Sequence, residues 1–303
     1  MRSSGLVRTL AVAVSGAALL TLTACPADAS QAGPAVPSAP SSSAAQAAAS
    51  QCPQTAADAL GWGTPTRQAD FQGTALPPDW HPYGPEPGHD EKGTRTPAAI
   101  TVANGQVTVS GDEQGNTGAM SWHPGQRYGR WEACVRMDPG PDALHGVVIL
   151  WPVAEDFPAG GEIDWVEVFH GDRQEVTVNI HHGPPDRSFG GEVERDATQW
   201  TAWAVEWTPE HITTYADGEE WYSTDRSELF PPRPMNMTMQ LDWFPPEGGG
   251  PASGGSAMHM DWSHQWALPE SEPATLALAP GDPATGQPRL YPDRKPRPSE
   301  AGP

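Results

Sequence analysis

Proline and glycine constrain the fold of this chain more than any other feature of its sequence. The 303 residues include 35 prolines and 32 glycines, about a fifth of the chain. Proline removes a hydrogen-bond donor from a helix interior, and glycine weakens it through its conformational freedom. No long stretch of apolar residues with a helical period appears between them. The sequence therefore argues against a helix-rich fold and favours short elements joined by turns.

Short runs of β-branched and aromatic residues, separated by turn signals, predict an all-β body. Asn104-Gly105 lies between two β-branched runs, which is a strong hairpin signal, and Asp217-Gly218 is a second turn signal. Such a pattern favours a sandwich of two antiparallel sheets, although periodicity alone does not separate a jelly roll from an immunoglobulin-like sandwich. The predicted strands cover residues 100–102, 107–109, 129–137, 147–151, 162–169, 175–180, 200–207, 211–216, 235–243 and 258–266.

The two ends of the chain are predicted to lie outside this body. Residues 1–25 combine a basic start with an apolar segment of about 13 residues, which is too short to span a bilayer and is typical of an export signal. Residues 26–52 are rich in alanine, serine and proline, and we expect a flexible linker there. Residues 53–268 form the predicted folded domain, and the proline-rich residues 269–303 a disordered tail.

The three cysteines carry separate predictions. Cys25 ends the sequence Leu-Thr-Ala-Cys, which resembles the lipobox of a bacterial lipoprotein. We therefore expect lipidation at Cys25 and an extracellular or cell-surface location; the alternative is an ordinary signal peptide that ends near Ala29. Export permits disulfides, so Cys52 and Cys134 are the available pair, with two unpaired thiols as the alternative.

The acidic composition limits the class of partner. Lysine and arginine number 17 against 38 aspartate and glutamate residues, which gives a formal net charge of −21. A nucleic-acid-binding protein needs a basic surface that displaces counterions, so we expect no nucleic acid and membrane contact only through the lipid anchor. The 13 tryptophans are typical either of a tryptophan-rich core or of a surface that stacks on flat apolar ligands.

Three acidic residues within one predicted strand need a chemical explanation. Glu162, Asp164 and Glu167 lie in an otherwise apolar segment, although acids are poor strand formers and are costly to bury. Alternation places Glu162 and Asp164 on one face, about 6.6 Å apart along the strand, but turns Glu167 to the other face. A β-bulge at Trp165-Val166 would add one residue and return Glu167 to the shared face, so we predict that bulge.

Carboxyl groups that share one face suit glycoside hydrolysis. One ionised carboxylate attacks the anomeric carbon, while a protonated carboxyl gives its proton to the leaving oxygen. Close packing of like charges separates the two pKa values and hence the two roles. The alternatives are a calcium site, for which a strand supplies too few oxygens, and a charged edge strand. No metal site is predicted at His181 and His182 either, because adjacent strand residues face opposite ways.

Several segments resemble glycoside hydrolase family 16, the laminarinase-like group. Residues 162–167 resemble its ExDxxE signature. Residues 128–133, 203–209 and 260–262 resemble other strands of the family, in the same order and spacing. The resemblance implies a β-jelly roll of two antiparallel sheets, with a polysaccharide bound in a cleft across the concave face.

The same resemblance implies a role for each acid. Glu162 resembles the nucleophile, Glu167 the general acid/base, and Asp164 the residue that assists the nucleophile. Retention of configuration requires the two catalytic carboxyl groups to lie only about 5–5.5 Å apart. No cofactor is expected, and the structural calcium ion of some relatives is not predicted here. We expect a monomer.

Candidate substrate-binding residues include one departure from the family pattern. The family often has two tryptophans on the strand before the signature, where this chain has His145 and Ile149. Their loss leaves the substrate open among β-1,3-glucan, β-1,3-1,4-glucan and galactan. Each remaining tryptophan is equally well explained by a core position, and His181 by a structural one. The residues predicted to contact the glycan are Trp122, Trp151, His181, Gln240 and Trp243.

The sequence therefore predicts a retaining, endo-acting glycoside hydrolase of β-linked polysaccharide. Two alternatives stay open. One is a glycan-binding module that keeps the fold without turnover. The other is a cell-surface transglycosylase, in which a sugar hydroxyl rather than water resolves the same covalent intermediate.

Overall fold

The computed structural model describes residues 50–268, so the export signal, Cys25, nearly all of the linker and the proline-rich tail lie outside the described residues. Within them, helical structure is limited to α1 (Ala56–Leu60) and three 3₁₀ turns (His89–Glu91, Pro97–Ala99 and Ser227–Leu229), and none of these is long and apolar enough to cross a membrane. The eighteen strands are β1 (Arg67–Ala69), β2 (Trp80–Pro82), β3 (Glu86–Pro87), β4 (Thr94–Arg95), β5 (Ile100–Ala103), β6 (Gln106–Gly111), β7 (Asn116–Thr117), β8 (Ala119–Gln126), β9 (Gly129–Met137), β10 (Leu144–Pro152), β11 (Glu162–Val168), β12 (Glu175–His182), β13 (Arg187–Glu194), β14 (Thr201–Trp207), β15 (Ile212–Ala216), β16 (Glu219–Thr224), β17 (Met235–Trp243) and β18 (Ser256–Trp266).

The strands form two sheets that pack face to face. Among the described residues, the larger sheet has the order β16-β15-β14-β9-β18-β6-β7-β4-β3, with β1 also paired to β18 and β5 to β6. The smaller sheet has seven strands in the order β13-β12-β11-β10-β17-β8-β2. Its paired strands are all antiparallel, whereas β4 and β7 of the larger sheet run parallel. The predicted all-β sandwich of two antiparallel sheets is confirmed.

Tryptophan supplies much of the core between the two sheets. Each aromatic side chain of this size buries roughly 150–250 Å², so a few of them dominate the apolar area removed from water. This core accounts for a large part of the tryptophan content of the chain. The side chains that are at most 1% exposed include Trp122, Trp131, Trp165, Trp203 and Trp207.

Both predicted hairpin turns are present, and their backbone explains their sequences. Asn104 and Gly105 have φ angles of 56° and 78°, and they join β5 to β6. Asp217 and Gly218 have φ angles of 49° and 81°, and they join β15 to β16. A two-residue turn with positive φ at both positions matches the twist of a hairpin, and asparagine, aspartate and glycine tolerate that backbone best.

The sequence did not predict the short strands β1, β2, β3, β4 and β7, nor the longer strands β8, β13 and β16. β8 contains Pro124 and Gly125, and β13 contains Gly190-Gly191, all of which weaken a strand signal. Yet a Cβ at Gly190 would lie only 1.7 Å from the backbone oxygen of Val178 on the neighbouring strand. Glycine is therefore required there by close approach of two backbones, which is a tertiary constraint that no local pattern reveals.

The segment that precedes β1 is fastened to the larger sheet. Cys52 and Cys134 form a disulfide, with Cα atoms 5.8 Å apart and a sequence separation of 82. Glu132, on the same strand as Cys134, accepts hydrogen bonds from the backbone N–H groups of Ala56 (2.6 Å) and Ala57 (3.3 Å). These donors belong to the first turn of α1, where a helix leaves its N–H groups unpaired. The carboxylate therefore joins α1 to β9.

The burial of Glu132 makes this attachment depend on pH. The side chain is fully buried, and burial raises the pKa of its carboxyl to about 7, against the opposing effect of the two N–H groups. The ordinary value is 4.5, so the folded protein binds this proton more tightly than the unfolded chain does. The resulting stability is fully present below pH 4.5 and is lost as the pH rises through about 7.

We expect the Glu132 carboxyl to lower the free energy of unfolding by about 3 kcal/mol between pH 4.5 and pH 7.5. Glu132→Gln removes the titration, so its stability should decline less over this range, even if the amide makes a poorer contact with α1. Chemical denaturation at a series of pH values measures the difference. Glu210→Gln, at an exposed position, serves as the control and should keep the wild-type slope. Equal slopes for wild type and Glu132→Gln would contradict the assignment.

Candidate active site

A β-bulge in β11 sets three acidic side chains on the outer face of the seven-stranded sheet. Between Asp164 and Glu167, three steps along β11 are matched by two steps along β12, so β11 carries one extra residue. The adjacent residues Trp165 and Val166 both pack in the core, where strict alternation would allow only one of them. The predicted bulge is therefore confirmed. We call the face that carries Glu162, Asp164 and Glu167 the carboxylate face.

Strand register brings further side chains to the carboxylate face. Residues directly opposite each other in neighbouring strands point to the same side of a sheet. From the partners of the three acids, the face can be followed across five strands. It carries Thr177, Asn179 and His181 from β12, His145, Val147, Ile149 and Trp151 from β10, Asn236, Thr238, Gln240 and Asp242 from β17, and Ser121 from β8.

Glu162 and Asp164 form a closely coupled pair of carboxyl groups. Burial, and then the neighbouring Asp164 carboxylate, raise the pKa of Glu162 well above its ordinary value. Asp164 is only 4% exposed, and its Oδ1 atom has no hydrogen-bond partner within residues 50–268. Because a nearby like charge disfavours the ionised form, Glu162 takes up a proton more readily than an isolated carboxyl does.

Glu167 has the properties of a proton donor at neutral pH. Burial, and then the charge of Asp164, raise the pKa of Glu167 to about 8. Asn179 donates a hydrogen bond from Nδ2 to Glu167 Oε2, which favours the ionised form but does not outweigh burial. A carboxyl that keeps its proton at pH 7 can deliver it to a leaving group in contact with it.

The group of described residues that comes nearest to a metal site consists of Glu162, Asp164 and His181. Their candidate ligand atoms lie within 4.8 Å of one another. However, His181 Nε2 lies 3.2 Å from Asp164 Oδ2, and its Nδ1 lies 3.1 Å from Asp186 Oδ1. An imidazole whose two nitrogens both face carboxylates donates from both and keeps no lone pair for a metal. We therefore describe the group as an ion pair beside the acids.

Trp151 lies on the carboxylate face, as predicted for a residue that contacts the glycan. It is partly exposed, and its Nε1 donates to Glu155 Oε2 at 2.8 Å. Its ring stacks on Phe157, with centroids 5.4 Å apart and an interplanar angle of 20°. Phe157 in turn meets the ring of His181 edge-on at 5.8 Å. These contacts provide an aromatic surface near the Glu162 end of β11.

Trp122 and Trp243 lie on the core side of their strands, so the prediction that they contact a glycan is wrong. Trp122 is 1% exposed and stacks on Trp80, with centroids 5.5 Å apart and an interplanar angle of 4°. Trp243 is 5% exposed, and a Cβ at Gly115 would lie 2.7 Å from its ring. Alternation along β8 and β17 turns both rings away from the carboxylate face.

Gln240 lies on the carboxylate face, and its amide is held in one orientation. Its Nε2 donates to Asp242 Oδ2 at 2.9 Å. Asp242 Oδ1 accepts a hydrogen bond from Arg95 Nη2 at 2.7 Å, in an ion pair that is largely buried. Because Asp242 holds the amide nitrogen, the Oε1 atom of Gln240 is the atom left to accept a hydrogen bond from a ligand hydroxyl.

The two positions where the family pattern has tryptophans both lie on the carboxylate face. Ile149 pairs with Asp164 in the register of β10 and β11. His145 stacks on Phe244, with centroids 4.0 Å apart and an interplanar angle of 23°, and meets Phe169 edge-on at 5.1 Å. Burial lowers the pKa of His145 to about 4, so the ring is neutral at pH 7. His145 thus provides a flat ring at one of the two positions, whereas Ile149 provides none at the other.

The sequence analysis did not single out Asn179, Asp242 or Asp186. Asn179 stands two residues before His181, and Asp242 two residues after Gln240. Alternation along the predicted strands was therefore a usable signal for both. Asp186 lies in the turn between β12 and β13, where no periodic pattern marks it.

A two-sheet sandwich that carries three carboxyl groups on one face of a sheet offers the paired acids that glycoside cleavage uses. The chain belongs to glycoside hydrolase family 16: the family model described as glycosyl hydrolases family 16 matches residues 89–264. No curated protein matches the chain in sequence.

Solved structures share this fold at low sequence identity. LamAcat from Zobellia galactanivorans has a TM-score of 0.60 and 15% identity, over 69% of this chain and 100% of that chain. The laminarinase catalytic domain from Thermotoga petrophila has a TM-score of 0.57 and 17% identity, over 67% and 97%. The β-glucanase of Bacillus licheniformis has a TM-score of 0.57 and 15% identity, over 67% and 99%. The likeness establishes the fold.

We expect Asn179→Ala to raise the pKa of Glu167 above about 8, because the N–H group that stabilises the ionised form is lost while burial remains. Carbon-13 NMR of the side-chain carboxyl, followed through pH, measures this. Asn236→Ala changes another amide of the same face, on β17, and should leave the titration of Glu167 as it is. A pKa that is the same in wild type and Asn179→Ala would refute the assigned hydrogen bond.

Proposed function

We propose that this protein is a retaining, endo-acting glycoside hydrolase of β-glucan. One observation carries the proposal: the extra residue in β11 sets Glu162, Asp164 and Glu167 on the same face of the seven-stranded sheet. A fold needs no such cluster for its own stability, since packed like charges oppose folding. Glycoside cleavage, in contrast, needs two carboxyl groups with separate protonation states on one face.

Glu162 and Glu167 would act in two successive steps. The ionised Glu162 carboxylate attacks the anomeric carbon as Glu167 gives its proton to the departing glycosidic oxygen, which forms a covalent glycosyl-enzyme. Glu167, now ionised, takes a proton from a water molecule as that water attacks the same carbon. The bond to Glu162 breaks, and its carboxylate is restored. Configuration at the anomeric carbon is retained because it is inverted twice.

The electrostatics of the free protein suit the role of Glu167, whereas the raised pKa of Glu162 opposes the ionised form that its role needs. Glu167 keeps its proton up to about pH 8, so at neutral pH it holds the proton that the leaving oxygen needs. Glu162 must be ionised, and the neighbouring Asp164 carboxylate raises its energy in that state. Covalent bond formation neutralises Glu162 and removes this repulsion. Asp164 thus favours the attack by destabilising the ionised nucleophile more than the ester.

The position of β11 in its sheet favours endo action on a polymer. Strands of a sheet lie about 4.8 Å apart, so seven strands span roughly 29 Å, which is long enough for several sugar units. β11 has two strands on one side and four on the other. A glycan that crosses the strands would therefore extend past the acids in both directions.

The choice of β-glucan rests on the relatives and on the chemistry of the face. The similar structures include an endo-1,3-β-glucanase (a laminarinase) and a β-glucanase. Near the acids the face includes the uncharged amides of Asn179 and Gln240, which suit neutral hydroxyl groups. Trp151 offers a partly exposed ring for stacking on a sugar.

We expect the purified protein to release reducing ends from β-1,3-glucan or β-1,3-1,4-glucan, with oligosaccharides rather than monosaccharides as early products. Glu162→Gln should lower kcat/KM by about 10³-fold or more, because the nucleophile is lost. Glu194→Gln, an exposed acid on β13, is the matched control and should behave as wild type. Proton NMR of the first product reports whether configuration is retained.

The outcomes of this assay separate the competing functions. Galactan cleavage without glucan cleavage would overturn the substrate class. Oligosaccharide binding without release of reducing ends would indicate a binding module. Transfer to a labelled sugar acceptor in preference to water would indicate a transglycosylase.

We also propose that the enzyme works outside the cell, held at the surface by a lipid on Cys25. The apolar leader that ends in Leu-Thr-Ala-Cys supports this proposal. The Cys52–Cys134 disulfide supports it independently, because such bonds persist in oxidising compartments.

Mass spectrometry of the mature N-terminus and detergent phase partitioning test the anchor. We expect the full chain to partition into the detergent phase and Cys25→Ala to lose this property, since its thiol is the lipidation site. Cys25→Ser, which also lacks the thiol, should behave in the same way. A mature protein that begins near Ala29 and stays in the aqueous phase would refute the anchor but not export.

A further inference from the structure

His181 links the acids of β11 to a carboxylate at the solvent edge. Its Nε2 lies 3.2 Å from Asp164 Oδ2, and its Nδ1 lies 3.1 Å and 3.3 Å from the two carboxylate oxygens of Asp186. A neutral imidazole has one donor and one acceptor nitrogen, so it can satisfy only one of these carboxylates. The doubly protonated, positively charged ring is the form that can donate to both carboxylates at once.

Asp186 occupies a restrained position in the fold. It lies five residues after His181, in the turn between β12 and β13, which also contains Pro184 and Pro185. Two consecutive prolines restrict the backbone of that turn. The side chains of Asp186, His181 and Asp164 are 42%, 22% and 6% exposed, so the chain of contacts leads from solvent into the buried acids.

The charged groups around His181 make its charge important for the acids. From β11, Glu162 is its direct cross-strand partner, Asp164 is its ion-pair partner, and the charge of His181 acts to lower the pKa of Glu167. Asp186 faces it from the turn, and His182 is the neighbouring titratable group on β12. A cation at this point offsets part of the repulsion among the three acids.

We propose that Asp186 is a positioning residue, which keeps His181 doubly protonated and directed at Asp164, so that Asp164 and Glu162 are ionised together in the working enzyme. The effect on rate rests on the function proposed above. The charge state of His181 does not depend on that function.

The direction of the pH effect follows from the groups involved. Burial lowers the pKa of His181, but the hydrogen bonds and charges of Asp164 and Asp186 outweigh burial and raise it to about 9. Since Glu167 loses its proton near pH 8, Glu167 sets the alkaline limit in the wild type. Without the Asp186 carboxylate, His181 would release its proton at lower pH. Glu162 would then bind a proton more tightly, which blocks the nucleophile.

Nitrogen-15 NMR of the His181 ring tests the charge directly in Asp186→Asn, whose amide oxygen can still accept from Nδ1. We expect the wild-type ring to stay doubly protonated through pH 8, and the variant ring to titrate about one pH unit lower or more. Asp138→Asn is the matched control, because Asp138 pairs with His259 Nε2 at 3.1 Å on the larger sheet. It should leave the titration of His181 unchanged.

The pH profile of kcat/KM tests the positioning role. We expect Asp186→Asn to lose about twofold or more at pH 8, where at least half of its His181 rings would be neutral, and almost no activity at pH 6, where His181 is charged in both proteins. An equal loss at every pH would indicate a merely structural role and overturn the proposal. So would a wild-type ring that is neutral at pH 7, a titration unaffected by Asp186→Asn, or a ring bound to a metal that a chelator removes. A protein that cleaves no glycan refutes the proposed function, while the NMR titration still decides the charge of His181.

Discussion

One extra residue in β11 is the constraint on which the rest of the site depends. A strand sends successive side chains to opposite faces, so Glu167, five positions after Glu162, cannot share its face without a break in register. The break places Trp165 and Val166 together in the core and returns Glu167 to the side of Glu162 and Asp164. The extra residue thus buries two side chains in the core and also brings the three acids to one face. Packing and chemistry are therefore coupled in a single local feature.

The assembled acids create an electrostatic problem that their neighbours partly solve. Burial and the nearby charge of Asp164 raise the pKa values of Glu162 and Glu167, which makes both of these carboxyls prone to protonation. Asn179 and His181, both from β12, oppose this with a hydrogen bond and a positive charge. Their action is unequal across the face, because Asn179 contacts Glu167 whereas His181 contacts Asp164. Because the two contacts differ, Glu167 and Glu162 can have different protonation states.

A large part of the fold was predictable because its signals are local. The Asn104-Gly105 hairpin, β9 and β17 follow from turn chemistry and alternation, and the bulge follows from the spacing of the acids. The predictions for tryptophan failed where they depended on the face of a strand. Trp122 and Trp151 are both large aromatic residues on strands of the same sheet, yet one is 1% exposed and the other partly exposed. Residue type alone does not distinguish the core face from the carboxylate face.

The sequence by itself determined the class of fold, the strand that bears the acids and the need for a bulge, because each depends on residues close together in the chain. Tertiary structure decided which side chains join those acids. Register across β10 and β17 places Asp242 on the carboxylate face, where Arg95 of the larger sheet reaches it, and the turn after β12 brings Asp186 to His181. The physical reason is that backbone register across neighbouring strands, rather than local propensity, sets these distances.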